Sequence, residues 1–244
     1  MLRYNAEKAK LRSLVYYGFS RLVDYPYDDD MDKLHLLISD VVRVVECLHN
    51  SLDNLVKDKL IKVVNELKSA EKVLRKELDK LGRDMFQAEY VSLFELGIPE
   101  PPCPLREIAF RENEGDLEVK QFVPNTVITM PGLLLLLSLE EQYRSEGLEY
   151  HKYPPDHLVV ELEYMHYLAT KEYKFLAEGK IEDAINVVKK EKRFLSTHLE
   201  WVNKLRGCVE SESKLNFYKY VLKALTLWLA FDKEILSRLS QFNT

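Results

Sequence analysis

The chain has 244 residues, of which 46% are hydrophobic and 31% charged, enough to bury the core of one large domain or of two closely packed halves. Its formal net charge of −5, from 35 basic and 40 acidic residues, argues against a nucleic-acid-binding surface, which needs an excess or a stripe of basic residues. Only 8 glycines occur, and Leu, Lys and Glu dominate, so the composition favours helices.

The opening stretch, residues 1–19, reads as an amphipathic helix with charges spread through it, not as the basic end and apolar core of an export signal. The longest apolar run, residues 133–139, is too short to span a bilayer, so we expect no stable membrane insertion. The three cysteines, Cys47, Cys103 and Cys208, form no C-x-x-C pair. This odd, widely spaced set without an export signal predicts reduced thiols in a cytoplasmic protein.

Apolar residues recur at three- and four-residue spacing almost throughout, which predicts a series of helices. The first covers about residues 6–23, the second starts near residue 30, the third reaches from 52 to about 81 in one piece or two, and the fourth spans 83–96. Residues 111–130 are the least periodic and predict a mobile loop or short extended segments. Helices resume at Pro131, a favourable first-turn residue, and run to about 144, then cover about 156–177, 182–205 and 214–239.

This pattern predicts an all-α, single-domain multi-helix bundle over residues 1–244, and no period of about 20 to 50 residues repeats. Its parts are an N-terminal helical part (1–96), a loop with an irregular segment (97–130) and a C-terminal helical part (131–244). The acidic run at 28–32 could suggest a metal site, but aspartates at a helix start are favoured as caps.

The stretch "IPEPPCP", residues 98–104, interrupts the helical pattern with four prolines. Each proline fixes φ and pushes the preceding residue towards extended geometry, which predicts a stiff, polyproline-like loop. Apolar residues flank this loop on both sides, namely Leu93, Phe94, Ile108 and Phe110. The loop is either a rigid corner between helices or a preformed surface.

A carboxylate-bridged di-iron site is a rival interpretation of the bundle. Such sites use two Glu-x-x-His pairs, and the chain has Glu46 with His49 and Glu163 with His166. Each spacing puts both side chains on one helix face, but the pairs flank the apolar stripes instead of lying within them. The di-iron protein is therefore kept as the alternative.

Two further features carry polar chemistry. In "YPPDHLVVELEY", Asp156 can cap the following helix, while His157 and Glu161 lie one turn apart and form either a solvent-facing ion pair or a polar edge beside an apolar groove. Cys103 and His157 could be imagined as a thiolate–imidazole pair, but Cys103 stands between prolines without a helix N-terminus to lower its pKa, so a structural thiol is favoured. No dinucleotide fingerprint, phosphate loop or nucleophile elbow occurs.

Taken together, these motifs resemble the TorD/DmsD/NarJ family of cytoplasmic redox-enzyme maturation chaperones. The matching elements are the first helix and its exit (12–26), "EYVSLF" (89–94), the loop core "CPLREI" (103–108), and Asp156-His157 followed by "LVVELEYMHYL". Arg106 and Ile108 depart from the family pattern, which usually has an aromatic and often a serine there.

The resemblance implies a chaperone without enzymatic activity or cofactor, which contrasts with a metal enzyme and with a plain helical scaffold protein. It would bind the twin-arginine signal peptide, or the apo form, of a molybdopterin oxidoreductase subunit and hold it until the cofactor is inserted. It would be a monomer or a dimer, and residues 111–130 are the expected hinge if chains exchange halves.

The resemblance also suggests a peptide-binding site. A twin-arginine peptide calls for carboxylates beside an apolar groove, and Asp156, Glu161 and Glu107 could supply them. The rigid loop with Leu93 and Phe94 would form one groove wall. The complete predicted set is Leu93, Phe94, Pro101, Pro102, Cys103, Pro104, Glu107, Asp156, His157 and Glu161.

Overall fold

The computed structural model describes residues 5–52, 57–98, 100–111, 118–120 and 127–241. Within these ranges the chain forms helices α1 (Ala6–Leu22), α2 (Asp28–Met31), α3 (Leu34–Ser51), α4 (Lys57–Leu81), α5 (Arg83–Tyr90), α6 (Met130–Ser145), α7 (Leu158–Ala177), α8 (Ile181–His198), α9 (Val202–Glu212) and α10 (Asn216–Gln241). Two short strands, β1 (Glu118–Lys120) and β2 (Val127–Thr129), pair antiparallel. The predicted all-α bundle is confirmed. No helix in this part of the chain is long and apolar enough to cross a membrane.

Helix α1 lies at the centre of the bundle, packed against α7 and α3, while α10 packs against α4, α8 and α9. The side chain of Asn5 starts α1 by accepting a hydrogen bond from the backbone N–H of Lys8, at 3.2 Å. One continuous apolar core runs through all these helices, and its largest fully buried apolar side chain is Trp228. Packing therefore fixes the position of α7, and with it the positions of Asp156 and His157, which immediately precede the helix.

The predicted helix over 182–205 is wrong in its length, because the structure has two helices, α8 and α9, in this region. The buried residues Leu195, His198, Val202 and Leu205 keep a spacing of three or four across the break. The apolar pattern therefore continues without interruption while the backbone does not, and neither Pro nor Gly marks the break.

The irregular middle of the chain contains the short extended segments that were expected. Glu118 pairs with Thr129 and Lys120 with Val127. Residues 112–117 and 121–126, and with them most of the predicted hinge, lie outside the described residues. In the acidic run 28–32, Asp28 accepts a hydrogen bond from Gln87 at 3.0 Å and Asp32 pairs with Arg83, so these two side chains connect to α5.

A buried cluster around Arg12 joins four helices. The guanidinium of Arg12 in α1 donates to Glu172 in α7 (2.6 Å), to Glu191 in α8 and to Asp232 in α10 (2.5 and 3.0 Å), and all four side chains are buried. The hydroxyl of Tyr16 also donates to Asp232, at 2.7 Å. Burial raises the pKa of Glu191 well above its usual value, opposed by Arg12 and reinforced by Glu172 and Asp232, so the cluster contains fewer negative charges than carboxyl groups.

Replacing Arg12 by Met should strongly destabilise the protein, because it leaves the buried acidic groups of three helices without their cation. We expect a loss of about 3–5 kcal/mol in the free energy of unfolding, measured by urea denaturation with far-UV circular dichroism. The matched control is Arg43→Met, since the salt bridge of Arg43 within the described residues is the surface pair with Asp40, and its effect should stay below about 0.5 kcal/mol. Equal effects of the two substitutions would contradict a structural role for the Arg12 cluster.

Candidate functional site

The proline-rich loop and the Asp156-His157 corner lie side by side, which the sequence alone could not show. The backbone N–H of Glu107 donates to the carbonyl of Asp156 at 2.9 Å, and the N–H of Leu158 donates to the carbonyl of Leu105 at 2.9 Å. Between them, Arg106 and His157 form an antiparallel β-bridge. The end of the loop is thus fixed by backbone hydrogen bonds to the start of α7.

The sequence predicted that Asp156 caps α7. In the structure, its side chain holds the loop in place instead. Its side chain is fully buried, and Oδ1 accepts hydrogen bonds from Nε and Nη2 of Arg106 at 3.1 and 2.9 Å. Oδ2 accepts from the backbone N–H of Ile108 at 3.2 Å. Arg106, the residue that departs from the family pattern, is therefore the main partner of Asp156.

The N-cap of α7 is His157. Its Nδ1 accepts a hydrogen bond from the N–H of Val159 at 3.3 Å, and its ring stacks on Tyr153 with 3.9 Å between ring centres. Burial lowers the pKa of His157 to about 3, so the ring is neutral at physiological pH. A neutral His157 cannot form the surface ion pair with Glu161 that the sequence suggested.

A second buried polar cluster lies directly behind the loop. Glu107 accepts from Nε of Arg111 at 2.8 Å and lies 3.0 Å from Nδ1 of His198, while Glu161 accepts from the indole N–H of Trp201 at 3.0 Å. Burial raises the pKa of Glu161 well above its usual value, and the negative charge of Glu107 raises it further. Folding therefore favours the protonated form of Glu161.

The three carboxyl groups expected to meet the arginines of a peptide are thus buried and already bonded. Asp156, Glu107 and Glu161 are at most 1% exposed. In this conformation they hold the loop against α7 and α8, and their direct contact with a peptide stays a prediction.

Cys103 and Cys208 form a disulfide, which corrects the expectation of reduced thiols. Their Cα atoms are 5.8 Å apart, and the bond joins the loop to α9 across 105 residues of sequence. Cys103 is completely buried, and its backbone N–H donates to the carbonyl of Leu93 at 2.9 Å. The disulfide also excludes the thiolate–imidazole pair of Cys103 with His157, because Cys103 carries no thiol. Cys47 has no disulfide partner and is exposed.

The apolar residues on the N-terminal side of the loop are anchors. Leu93 and Phe94 are buried, and the ring of Phe94 packs edge-to-face against Tyr90 and Tyr218, at 5.0 and 5.3 Å between ring centres. They therefore form the base from which the loop projects, not a surface open to a ligand.

The tip of the loop is exposed, and between Glu95 and Glu100 it presents apolar side chains. Leu96 is 67% exposed and Ile98 fully exposed, Pro102 is exposed, and Pro101 and Pro104 are half-buried. Pro99 lies outside the described residues. An exposed apolar tip on a fixed base is the kind of surface that marks a protein-interaction site.

The di-iron alternative finds no support in the geometry. Glu46 pairs with Lys68 at 2.8 Å, and Nδ1 of His166 lies 2.9 Å from the carbonyl oxygen of Ser13. Among the described residues, no three His, Cys, Asp or Glu side chains form a group that could hold a metal ion.

Sequence reasoning missed the residues that pair with the predicted ones. His198 is 91 positions from Glu107 and Trp201 is 40 positions from Glu161, so only the folded chain brings them together. It also missed a tyrosine-lined cleft next to His157, although five of the chain's 14 tyrosines fall between residues 143 and 167. That local enrichment was the available signal.

Comparison with known protein families identifies the family of this chain. The family model described as the nitrate reductase delta subunit matches residues 57–206, a span that contains the loop, the Asp156-His157 corner and helix α7. No curated protein sequence matches the chain.

Protein purified without reductant and denatured should be alkylated at Cys47 alone, and at all three cysteines after reduction, as measured by mass spectrometry. Cys208→Ser should lower the free energy of unfolding by about 2–5 kcal/mol, because the cross-link closes a long loop. Cys47→Ser is the control and should change it by less than about 0.5 kcal/mol. Alkylation of three cysteines without reduction would contradict the disulfide.

Glu161→Gln should change how stability depends on pH. Above about pH 4.3, the usual pKa of a glutamate, an unfolded chain loses this proton while the folded protein keeps it, so native stability falls as the pH rises. Gln keeps the acceptor for Trp201 and does not titrate. The stability of the variant relative to the native protein should therefore increase as the pH rises above about 5, measured by urea unfolding. Glu178→Gln, at the exposed end of α7, is the surface control. A difference that does not depend on pH for Glu161→Gln would refute the raised pKa.

Proposed function

Since the chain belongs to the nitrate reductase delta subunit family, whose members are maturation chaperones of molybdoenzymes, we propose that it binds the twin-arginine signal peptide or the apo form of a molybdopterin oxidoreductase subunit. It holds this client in the cytoplasm until the cofactor is inserted, and only then is export allowed. It acts by binding, without catalysis and without a cofactor of its own.

The observation that carries this proposal is the rigid, apolar loop tip. The disulfide to Cys208, the bond from Cys103 to Leu93 and the pairing with Asp156 fix the loop at both ends. Ile98 and Leu96 project from it into solvent. A signal peptide has an apolar stretch, and a preformed apolar edge can bind that stretch with little loss of conformational entropy on the chaperone side.

The predicted site residues then fall into two groups. Pro101, Pro102 and Pro104 lie on the accessible side of the loop and would contact the peptide. The remaining ones support the loop from below or behind, and these are Leu93, Phe94, Cys103, Glu107, Asp156, His157 and Glu161. This division follows burial, since every member of the second group is less than about a tenth exposed.

Ile98→Asp should weaken binding of the signal peptide about tenfold, since it places a charge where the apolar stretch binds. The measurement is isothermal titration calorimetry with a twin-arginine signal peptide of a molybdoenzyme from the same organism. The melting temperature should not change, because Ile98 makes no buried contact.

The matched control is Ile181→Asp, at the exposed start of α8 away from the loop. It should leave the dissociation constant within about twofold. Equal binding by the two variants would mean that the loop tip is not the peptide surface. A native protein that neither binds the peptide nor captures the apo subunit would refute the proposed function.

A further inference from the structure

A cleft of about 480 Å³ lies next to the Asp156-His157 corner, between the end of α1, the segment 148–153 and the first half of α7. The cleft is connected to the loop through Tyr153 and His157. Tyr153 lines the cleft and its ring stacks on that of His157, and His157 forms the β-bridge with Arg106 of the loop. A cavity of this size accommodates one or two large side chains of a bound chain.

Tyrosine is the commonest residue type in the cleft wall. Six tyrosines line it, namely Tyr27, Tyr143, Tyr150, Tyr153, Tyr164 and Tyr167. Tyrosine rings attract cations above their faces and supply apolar area at low entropic cost. The hydroxyl of Tyr164 makes no hydrogen bond to any residue that the structure describes and remains available to a ligand.

The cleft already holds one cation in this way. The ammonium of Lys152 lies 4.8 Å from the ring centre of Tyr27 and 4.4 Å from that of Tyr153, and it donates to Asp24 at 2.7 Å. Asp24 also accepts from the hydroxyl of Tyr153, at 2.6 Å, and pairs with Arg21. A carboxylate beside tyrosine rings therefore binds a positive charge here, and Lys152 of the chain itself supplies that charge.

A second pair of carboxylates in the cleft has no comparable partner. Glu163 and Glu149 are 46% and 84% exposed. The nearest basic side chains in the described part of the chain are Arg21, at 3.9 Å from Glu163, and His151, at 3.7 Å from Glu149. Both distances exceed a hydrogen bond, and such exposed pairs contribute little. The lining of the cleft thus has three carboxylates, Asp24, Glu149 and Glu163, against the two cations Arg21 and Lys152, a formal excess of one negative charge.

We propose that this cleft binds an arginine side chain of the client peptide, with its guanidinium on the carboxylate of Glu163 and against the tyrosine rings of α7. The inference rests on the proposed function and gives it the recognition element that the buried Asp156, Glu107 and Glu161 cannot supply. Tyr167 stands one turn after Glu163 on the same helix face, so a planar guanidinium can bind the carboxylate and stack on the ring together. Lysine cannot form this bidentate, stacked arrangement.

The test is calorimetric titration of the full chain with a twin-arginine signal peptide and with its Lys-Lys version. Glu163→Gln should weaken binding of the arginine peptide about tenfold and reduce the preference for arginine over lysine. Glu163→Arg, which brings a guanidinium of its own, should weaken it more. Glu178→Gln, at the far end of α7 and paired with Lys180 on the surface, is the matched control and should bind like the native protein.

The outcomes separate this inference from the proposed function. If the native protein prefers the arginine peptide and Glu163→Gln keeps that preference and affinity, the cleft is not the arginine site, while the chaperone function stands. If no peptide binds, the inference is overturned, and capture of the full-length apo subunit on the immobilised chain then decides the proposed function independently. Circular dichroism melting of each variant shows whether a loss of binding reflects a loss of fold.

Discussion

The buried guanidinium of Arg12 determines how the central helices can be arranged. A cation in the core is tolerated only where carboxylates surround it, and here each of α7, α8 and α10 contributes one. This requirement fixes the C-terminal half of α7 against α1 through Glu172, and the start of α7 then determines where Asp156 and His157 lie. The position of the functional loop thus depends on an ion cluster far from it along the chain.

The same electrostatic solution is used again behind the loop. Around Arg12 there are more carboxyl groups than the cation can balance, and the pKa of Glu191 rises. Behind the loop, Glu107 has Arg111 and His198 as partners, while Glu161 lies beside Glu107 and accepts from the indole of Trp201, and the pKa of Glu161 rises. In both places the raised pKa favours a protonated carboxyl group, so two acidic groups can lie close together in a low-dielectric site without two negative charges. Buried acids in this protein are therefore structural, and recognition of a cationic ligand falls to exposed ones.

The periodicity of the sequence was sufficient for the class of fold and for most helices, because amphipathic spacing is a local property. It placed the first helix at 6–23, against Ala6–Leu22 in the structure. It could not show the break after His198, where the apolar spacing continues, nor the disulfide, whose cysteines lack any motif. Resemblance directed attention to the loop and to Asp156-His157, but their roles depended on Arg106 and Trp201, which only long-range folding brings near. The sequence can therefore predict that a residue is important without showing which residue it pairs with, and so without showing its role.

Burial protects one of the two sulfur atoms of the disulfide. Cys103 is completely enclosed while Cys208 is half-buried, so a reducing thiolate is blocked at Cys103 and can approach only on the Cys208 side. Cys103 also lies between two fixed points, the bond to Leu93 and the pairing with Asp156, so exposing it requires the loop to leave its base. The contacts that keep the loop rigid are thus the ones that shield the Cys103 sulfur, and the cross-link in turn keeps the apolar tip projecting when no client is bound.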